Sequence, residues 1–167
     1  IKTNFGFVAK CKSFDVISIR STVDISDIIT TLDDKYIYTI DGGIHKGYYT
    51  QAQYILKTLP IRRLDNNIIL TGYSLGGSLA IIIGYLLSID PDKNITVYTF
   101  GAPKCGDEIF SNICKIKKNF KCYNKINKKD KLISFVNKDL YRPGISEEIS
   151  VSNSNTFMGL NHSINLY

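Results

Sequence analysis

The segment Gly72-Tyr73-Ser74-Leu75-Gly76 has the residue types and spacing of a nucleophile motif, G-x-S-x-G. An apolar, β-branched run at 68–71 precedes it, and a longer apolar run at 79–89 follows it. A strand, a tight turn and a helix form the setting in which this motif exposes a reactive serine. The glycines allow a sharp turn on both sides of the serine. We therefore predict that Ser74 is the nucleophile of a serine hydrolase.

A serine hydroxyl is a weak nucleophile until a base removes its proton, so the motif requires a histidine. The chain has two histidines, His45 and His162. A nucleophile elbow on an α/β sheet is associated with the chain order serine, acid, histidine, and only His162 follows Ser74. We predict that His162 is the general base and that His45 shapes the loop or helix start before Gly47.

The third member of a triad must hold the imidazole in the correct tautomer, and it must lie between the other two in the chain. Asp130 follows the β-rich run 120–126 by a few residues, and catalytic groups collect at strand ends in such sheets. We predict that Asp130 is the acid, with Asp107 and Asp139 in reserve. The alternative role of Asp130 is to neutralise three neighbouring lysines, Lys128, Lys129 and Lys131.

The negative charge that forms on the attacked carbonyl oxygen needs two backbone N–H donors. Leu75 directly follows the nucleophile, so its N–H lies at the positive end of the predicted helix. The second donor must come from an earlier strand-end loop, which residues 17–22 provide. The N–H of Thr22, aided by its hydroxyl, is the best candidate.

Hydrophobic periodicity predicts strands that alternate with helices, the pattern of a mainly parallel α/β sheet with flanking helices. At 167 residues the chain has the length of a single domain, 1–167. Because it begins with Ile1 rather than methionine, we expect an upstream segment, and the localisation stays open. The predicted elements are strands at 5–9, 16–19, 68–71, 95–100 and 120–126, helices at 48–59, 79–89 and 108–116, an amphipathic flap at 23–32, a brief run at 132–136, a turn at 141–144 and a polar loop at 150–155.

The uncharged stretch 68–89 is long enough to cross a bilayer, and Gly72 and Gly76 have the G-x-x-x-G spacing of membrane helices. Its apolar residues nevertheless divide into a strand-length block and a helix-length block on either side of the nucleophile motif. A buried strand and a buried helix explain this division better. We therefore predict no transmembrane segment.

Most of the net charge of +6 comes from lysines between positions 115 and 131. A solvated surface is the simplest interpretation of such a run, and attraction to an anionic lipid surface is the second. No aromatic-interleaved binding motif accompanies the lysines, so we expect no nucleic-acid partner. The four cysteines lack a C-x-x-C pair, and we expect neither a metal nor another cofactor. Disulfides and free thiols both remain open for Cys11, Cys105, Cys114 and Cys122.

The chain resembles the class 3 lipases, also called fungal-type triacylglycerol lipases, along nearly its whole length. Six of its segments are similar to segments of that family and occur in the same order. The segment 71–80 is similar to the family's Thr-Gly-His-Ser-Leu-Gly-Gly-Ala-Leu-Ala, with Tyr73 in place of the histidine. Ser21 and Arg142 stand where the family commonly has glycine and histidine. Five more segments are similar to segments of the family. Residues 18–22 are similar to Phe-Arg-Gly-Thr/Ser, 44–48 to Val-His-x-Gly-Phe, 98–106 to Thr-Phe-Gly-x-Pro-Arg-Val-Gly and 127–130 to Asn-x-x-Asp, and His162 with Tyr167 is similar to the family's closing His and nearby Tyr.

The resemblance implies an α/β-hydrolase fold with a short lid at 23–31, and a carboxylic ester as substrate. It implies the same triad of Ser74, Asp130 and His162, with Thr22 and Leu75 as the oxyanion hole. A triacylglycerol lipase in transient contact with a lipid interface is the leading hypothesis. A phospholipase A1-type enzyme or a short-chain esterase is the alternative, and a catalytically silent lipid-binding or partner-binding module is the alternative from a different class.

Overall fold

The computed structural model describes residues 2–3, 5–21, 36–130 and 140–150. Between residues 67 and 127, strands and helices alternate, as the sequence predicts. A short 3₁₀ helix, Ile61–Arg63, precedes this part of the chain. The elements are β1 (Lys2–Thr3), β2 (Gly6–Lys10), β3 (Asp15–Ile19), β4 (Tyr36–Thr39), β5 (Gly42–His45), α1 (Lys46–Thr58), β6 (Asn67–Tyr73), α2 (Leu75–Leu87), β7 (Asn94–Phe100), α3 (Glu108–Ile116), β8 (Phe120–Asn127) and β9 (Ile145–Ile149).

Seven strands form the main sheet in the order β1-β2-β3-β6-β7-β8-β9. The strands β1, β2 and β3 pair antiparallel, whereas β3, β6, β7, β8 and β9 are all parallel. The pair β4 and β5 forms a separate antiparallel hairpin. The expected fold class, a mainly parallel sheet with flanking helices, is therefore confirmed. Parallel pairing also places the carboxyl ends of β6 and β8 at one edge of the sheet, so the residues that follow them share that edge.

The uncharged stretch at 68–89 forms a strand and a helix rather than one long helix. Every residue of α2 except Leu86 is buried, and the helix packs against β6, β7 and α1. A helix that is apolar on all sides is a core helix in a globular domain. Within the described ranges, no helix combines the length and the hydrophobicity needed to cross a bilayer.

Two predicted features differ from the structure near the end of the described chain. Residues 141–144, expected as a turn, instead bring Tyr141 against Gly106, with the Tyr141 N–H donating to the Gly106 carbonyl at 2.6 Å. The strand β9 was not predicted, because Ser146, Glu147 and Glu148 have low β propensity. Pairing with β8 stabilises it, aided by ion pairs of Glu147 and Glu148 with two lysines, Lys125 and Lys128. The flap at 23–32, the run at 132–136 and residues 151–155 of the polar loop lie outside the described residues.

All four cysteines are free thiols. Cys11 is exposed, whereas the other three are buried. Burial raises the pKa of Cys105 to about 12, although Arg142 opposes the shift. Burial and the neighbouring thiols also raise the pKa of Cys114. Buried thiols held in the protonated form are poor nucleophiles, so these cysteines act as small apolar core residues.

A buried carboxylate at the amino-terminal edge of the sheet joins β3 to the segment before β6. Asp15 is fully buried, and its Oδ2 accepts hydrogen bonds from Lys10 Nζ at 3.0 Å and from the Asp65 N–H at 2.8 Å. Burial alone would raise the pKa of Asp15, but the Asp65 N–H and the charges of Lys10 and Lys93 outweigh it and lower the pKa. The ionised form therefore stabilises the fold.

Asp15→Asn should lower the free energy of unfolding by about 1.5–3 kcal/mol at neutral pH, because it removes hydrogen bonds to a charged group. The pKa is lower in the folded state, so the stabilisation is complete above the unfolded pKa of about 3.9 and is lost as the pH falls through the folded pKa. The difference in the free energy of unfolding between wild type and variant, measured by urea denaturation, should thus be constant near neutrality and shrink below about pH 4.

Asp92→Asn is the matched control, since the Asp92 side chain is exposed and should change stability little at any pH. An Asp15→Asn deficit that persists undiminished at strongly acidic pH would contradict the assignment.

Candidate active site

Ser74 occupies the turn between β6 and α2 in a strained backbone conformation, with φ 52° and ψ −130°. Among the non-glycine residues that the structure describes, it alone has a positive φ. Such a conformation costs about 1–3 kcal/mol and persists only where the surroundings enforce it. The predicted strand, tight turn and helix around the motif are therefore confirmed.

The two motif glycines are required by close packing, not by their own dihedral angles. Neither has a positive φ. A Cβ on Gly72 would lie 2.2 Å from the carbonyl oxygen of Gly76, and a Cβ on Gly76 would lie 2.5 Å from the carbonyl oxygen of Ile19. Backbone atoms on the fixed elements β6, α2 and β3 cannot move aside for a methyl group. The motif thus requires glycines because no side chain fits beside the neighbouring backbone. The sequence alone suggests a different reason, the freedom of glycine to form a sharp turn.

The first turn of α2 contains Leu75, whose N–H is the predicted oxyanion donor. The N–H groups of Gly77 and Ser78 donate to the Ser74 carbonyl at 2.8 and 3.3 Å. Leu75 is the first helical residue, so no carbonyl within the helix accepts from its N–H. This N–H lies at the positive end of the helix dipole, where negative charge is stabilised.

The chain that leads to Thr22 passes directly beside the start of α2. A Cβ on Gly76 would lie 3.0 Å from the Ser21 nitrogen, in addition to its approach to Ile19. Thr22 itself, the second predicted oxyanion residue, lies outside the described residues. The backbone up to Ser21 reaches the elbow, and the oxyanion role of Thr22 stays a prediction.

Asp130 lies just beyond the carboxyl end of β8 and is fully buried, with 0% of its surface exposed. Asn127 shapes the turn before it: the Asp130 N–H donates to the Asn127 carbonyl at 2.9 Å, and the Lys129 N–H donates to Asn127 Oδ1 at 3.1 Å. Burial, and then the charge of Asp130, raise the pKa of Tyr73, the residue before the nucleophile. The carboxylate therefore lies near the elbow.

One of the three lysines near Asp130 in the sequence has another partner. Lys128 forms an ion pair with Glu148 at 2.9 Å, and its side chain is exposed. A carboxylate that served only exposed ammonium groups would not need to be buried, because burial of a charge is unfavourable. The role of Asp130 as the catalytic acid stays a prediction.

Two other candidates from the sequence have structural roles. Asp107 begins α3, where its Oδ1 accepts from the Phe110 N–H at 2.8 Å and its Oδ2 accepts from the Gly43 N–H at 2.7 Å. His45 begins α1, and its Nδ1 accepts from the Tyr48 N–H at 3.3 Å. The predicted role of His45 at a helix start is confirmed. His162, the predicted general base, and Asp139, the reserve candidate for the acid, lie outside the described residues.

The last residue of β7 and the segment after it hold the elbow in place, a role that the sequence did not reveal. The Ser74 N–H donates to the Phe100 carbonyl at 2.9 Å, and Ser78 Oγ donates to the Pro103 carbonyl at 2.8 Å. Arg142 Nε donates to the Ala102 carbonyl at 2.8 Å. The Gly101-Ala102-Pro103 sequence signals a loop, but the contacts that anchor it join residues far apart in the chain.

Residues 16–139 match the family described as Lipase (class 3). The chain belongs to the class 3 lipase family. Two plant proteins are similar over shorter stretches: triacylglycerol lipase OBL1 of Arabidopsis thaliana is 35% identical over 69 residues, which cover 38% of this chain and 13% of the relative. The corresponding protein of Ricinus communis is 33% identical over 81 residues, which cover 46% of this chain and 15% of the relative. The chain thus spans only about one seventh of these plant lipases.

Solved fungal lipases share the fold of this class 3 lipase family member. The lipase of Rhizopus microsporus var. chinensis superposes with a TM-score of 0.71 at 20% identity, over 89% of this chain and 57% of the fungal one. Lipase II of Rhizopus niveus gives 0.64 at 19% identity, over 83% and 59% of the two chains. The α/β-hydrolase fold expected from the resemblance is therefore confirmed.

No cluster of three or more metal-ligating side chains occurs within the described ranges. The turns that follow β6 and β8 carry a hydroxyl, on Ser74, and a carboxylate, on Asp130, and the N-terminus of α2 lies at the first of these turns. These are the parts that acyl transfer through a serine nucleophile uses.

Gly76→Ala should lower the free energy of unfolding by about 1–3 kcal/mol, because the new methyl group would press on the Ile19 carbonyl. Gly47→Ala, in α1, is the matched control: its nearest contact would be a side-chain atom of His45 at 3.3 Å, and the change should alter stability by less than about 1 kcal/mol. Chemical denaturation of both variants provides the measurement. Equal effects of the two substitutions would show that close backbone packing is not what the elbow glycine provides.

Proposed function

We propose that this chain is a carboxylic ester hydrolase that acts on lipid esters, with an acylglycerol as the expected substrate. The observation that carries the proposal is the strained Ser74 at a strand-to-helix turn, in a chain of the class 3 lipase family. A strained residue at such a turn is typical of a nucleophile elbow, where the fold maintains the conformation for chemistry.

In the proposed mechanism, Ser74 Oγ attacks the ester carbonyl carbon while His162 accepts the hydroxyl proton. The carbonyl π electrons move to oxygen, and the resulting oxyanion is bound by the N–H groups of Leu75 and Thr22. Collapse of this intermediate expels the alcohol, which takes the proton from His162 and leaves an acyl-enzyme. Water then attacks the acyl group by the reverse proton path, and the acid is released without a cofactor.

Asp130 has the role of orienting and stabilising the His162 imidazolium in this proposal. Its burial supports the role, because a carboxylate removed from water interacts strongly with a developing positive charge. The position of Leu75 at the start of α2 supports oxyanion binding, since a donor of this kind is worth about 10²–10³ in kcat. Together these groups supply nucleophile activation and charge stabilisation.

The choice of an acylglycerol rests on the names of the relatives. The two plant relatives are named triacylglycerol lipases. Less than half of this chain is aligned with either relative. An acylglycerol substrate is therefore part of the proposal.

Ser74→Ala should lower kcat/KM for p-nitrophenyl butyrate by about 10⁴-fold or more, because the nucleophile is removed. Labelling by a fluorophosphonate should disappear with it. A long-chain ester assayed in parallel reports whether the protein prefers lipid-like substrates. Ser13→Ala is the matched control, because Ser13 lies in an exposed loop and should keep full activity.

Two results would reject the proposal. A folded wild type that neither hydrolyses the esters nor reacts with the fluorophosphonate would favour a binding module with a lipase fold. A variant Ser74→Ala that retained both activity and labelling would place the nucleophile elsewhere.

Asp130→Asn should lower kcat by about 10⁴-fold, because the amide no longer stabilises the correct tautomer and the imidazolium. Asp107→Asn separates this effect from a structural one. Its amide has a single acceptor oxygen and cannot accept from both the Phe110 and the Gly43 N–H, so stability should fall by about 1 kcal/mol while kcat is retained. Steady-state kinetics and thermal unfolding of both variants test the assignment. A large loss of kcat in Asp107→Asn, with kcat retained in Asp130→Asn, would make Asp107 the acid.

A further inference from the structure

The apolar side of helix α3 is only half buried. Phe110 and Cys114 form one half of it and are buried in the core. The other half consists of three isoleucines at the i, i+4 and i+7 spacing of one helix face: Ile109, Ile113 and Ile116. Ile109 is 60% exposed and Ile116 is 75% exposed, whereas Ile113 between them is partly buried. The helix therefore has a second apolar face, which is open to solvent.

The hairpin of β4 and β5 extends this face at the start of α3. A Cβ on Gly42 would lie 3.0 Å from the Cβ of Ile109, so the hairpin contacts the helix there. Asp107 joins the two elements, because its Oδ2 accepts from the Gly43 N–H at 2.7 Å. Ile40, in the turn of the hairpin, is 100% exposed. Exposed aliphatic side chains grouped in this way indicate an interaction surface.

The two ends of this surface carry opposite charges. Three carboxylates lie at the end that the hairpin and the start of α3 form: Asp41, Asp107 and Glu108. Three lysines lie at the other end, where α3 stops: Lys115, Lys117 and Lys118. Within the ranges that the structure describes, none of these six residues forms an ion pair. The surface thus has an acidic end, an apolar middle and a basic end.

We propose that this surface binds the same surface of a second copy of the chain. It is here called the α3 face and consists of Ile40, Ile109, Ile113, Ile116, Glu108 and Lys115. A two-fold axis across α3 would set the two helices antiparallel, with Ile113 near the axis. Ile109 of each copy would then meet Ile116 of the other.

The charges favour the same antiparallel arrangement. Glu108 precedes Ile109 and Lys115 precedes Ile116, so the arrangement brings Glu108 of each copy towards Lys115 of the other. Antiparallel helices also bring opposite ends of their dipoles together. The α3 face is therefore complementary to itself, as a two-fold interface requires. The inference is independent of the proposed function, since none of these residues belongs to the proposed triad or oxyanion hole.

Other partners fit the α3 face less well. An anionic bilayer or a nucleic acid would attract the lysine end but repel the carboxylates at the other end. Asp90 adds a carboxylate near the lysine end, where its carbonyl accepts from Asn119 Nδ2 at 3.2 Å. A parallel pairing of two copies would place Glu108 against Glu108 and Lys115 against Lys115. The antiparallel pairing of two copies instead joins opposite charges on either side of an apolar contact.

The first test is the molecular mass of the whole chain in solution, measured by sedimentation equilibrium over a range of protein concentrations. Wild type should show a concentration-dependent dimer. Ile116→Ser should raise the dimer Kd by about 10- to 100-fold, because each dimer loses two apolar contacts. Ile61→Ser is the matched control, since Ile61 is an exposed isoleucine outside the α3 face and its replacement should leave the Kd unchanged.

The second test uses the charge reversals Glu108→Lys and Lys115→Glu. Each variant alone should raise the dimer Kd by about 10-fold or more, because both of its charge contacts become repulsive. An equimolar mixture of the two variants should form a heterodimer with a Kd close to that of wild type, because each contact again joins opposite charges. Lys57→Glu reverses an exposed charge outside the α3 face and should leave the Kd unchanged.

Three results would overturn the inference: a wild type that stays monomeric at every concentration, a folded Ile116→Ser that dimerises like wild type, or no heterodimer in the mixture of the charge variants. Far-UV circular dichroism shows whether each variant is folded. The mixture decides the question even where Ile116→Ser fails to fold, because it compares variants that change only surface charges.

Discussion

The close approach of three backbone segments at the nucleophile turn is the constraint on which the structure depends. The elements β6 and α2 meet so closely at Gly72 that no Cβ can be accommodated, and β3 approaches Gly76 equally closely from the other side. The turn between them then has only one residue in which to reverse direction, so Ser74 takes a positive φ. Packing thus creates the strain at the turn, and the buried core of α2 maintains it.

The rest of the fold supports that turn from both sides. The parallel sheet places the segments after β6, β7 and β8 at one edge, and each provides a different support. The carbonyl of Phe100, the last residue of β7, accepts the Ser74 N–H, and the Pro103 carbonyl in the segment that follows accepts from Ser78 Oγ. The turn after β8 holds Asp130 in a buried position. At the opposite edge, Asp15 joins β3 to the chain entering β6, which stabilises the strand that precedes the nucleophile.

The division of side chains between the two faces of the sheet is a second consequence of the architecture. Because α2 and α3 lie on one side, the alternating residues of β7 and β8 divide sharply: Val97 and Cys122 enter the core, whereas Tyr98 and Tyr123 meet solvent. The lysine-rich stretch had two interpretations from sequence alone. The structure separates its members, because Lys125 and Lys128 pair with β9, while Lys115 and Lys121 line a hollow beside exposed apolar groups.

The sequence by itself determined the nucleophile segment, the helices α1 and α3 and the strands of the parallel core, because local periodicity and the motif glycines encode them. It could not determine β9, whose polar residues become a strand only through pairing with β8. It also gave a wrong reason for the elbow glycines, since the Ile19 carbonyl that excludes a side chain at Gly76 lies far away in the chain. Only the tertiary structure assigned Asp107 to a helix cap and placed Asp130 near the elbow. These outcomes depend on contacts between distant residues, and such contacts exist only once the sheet has formed.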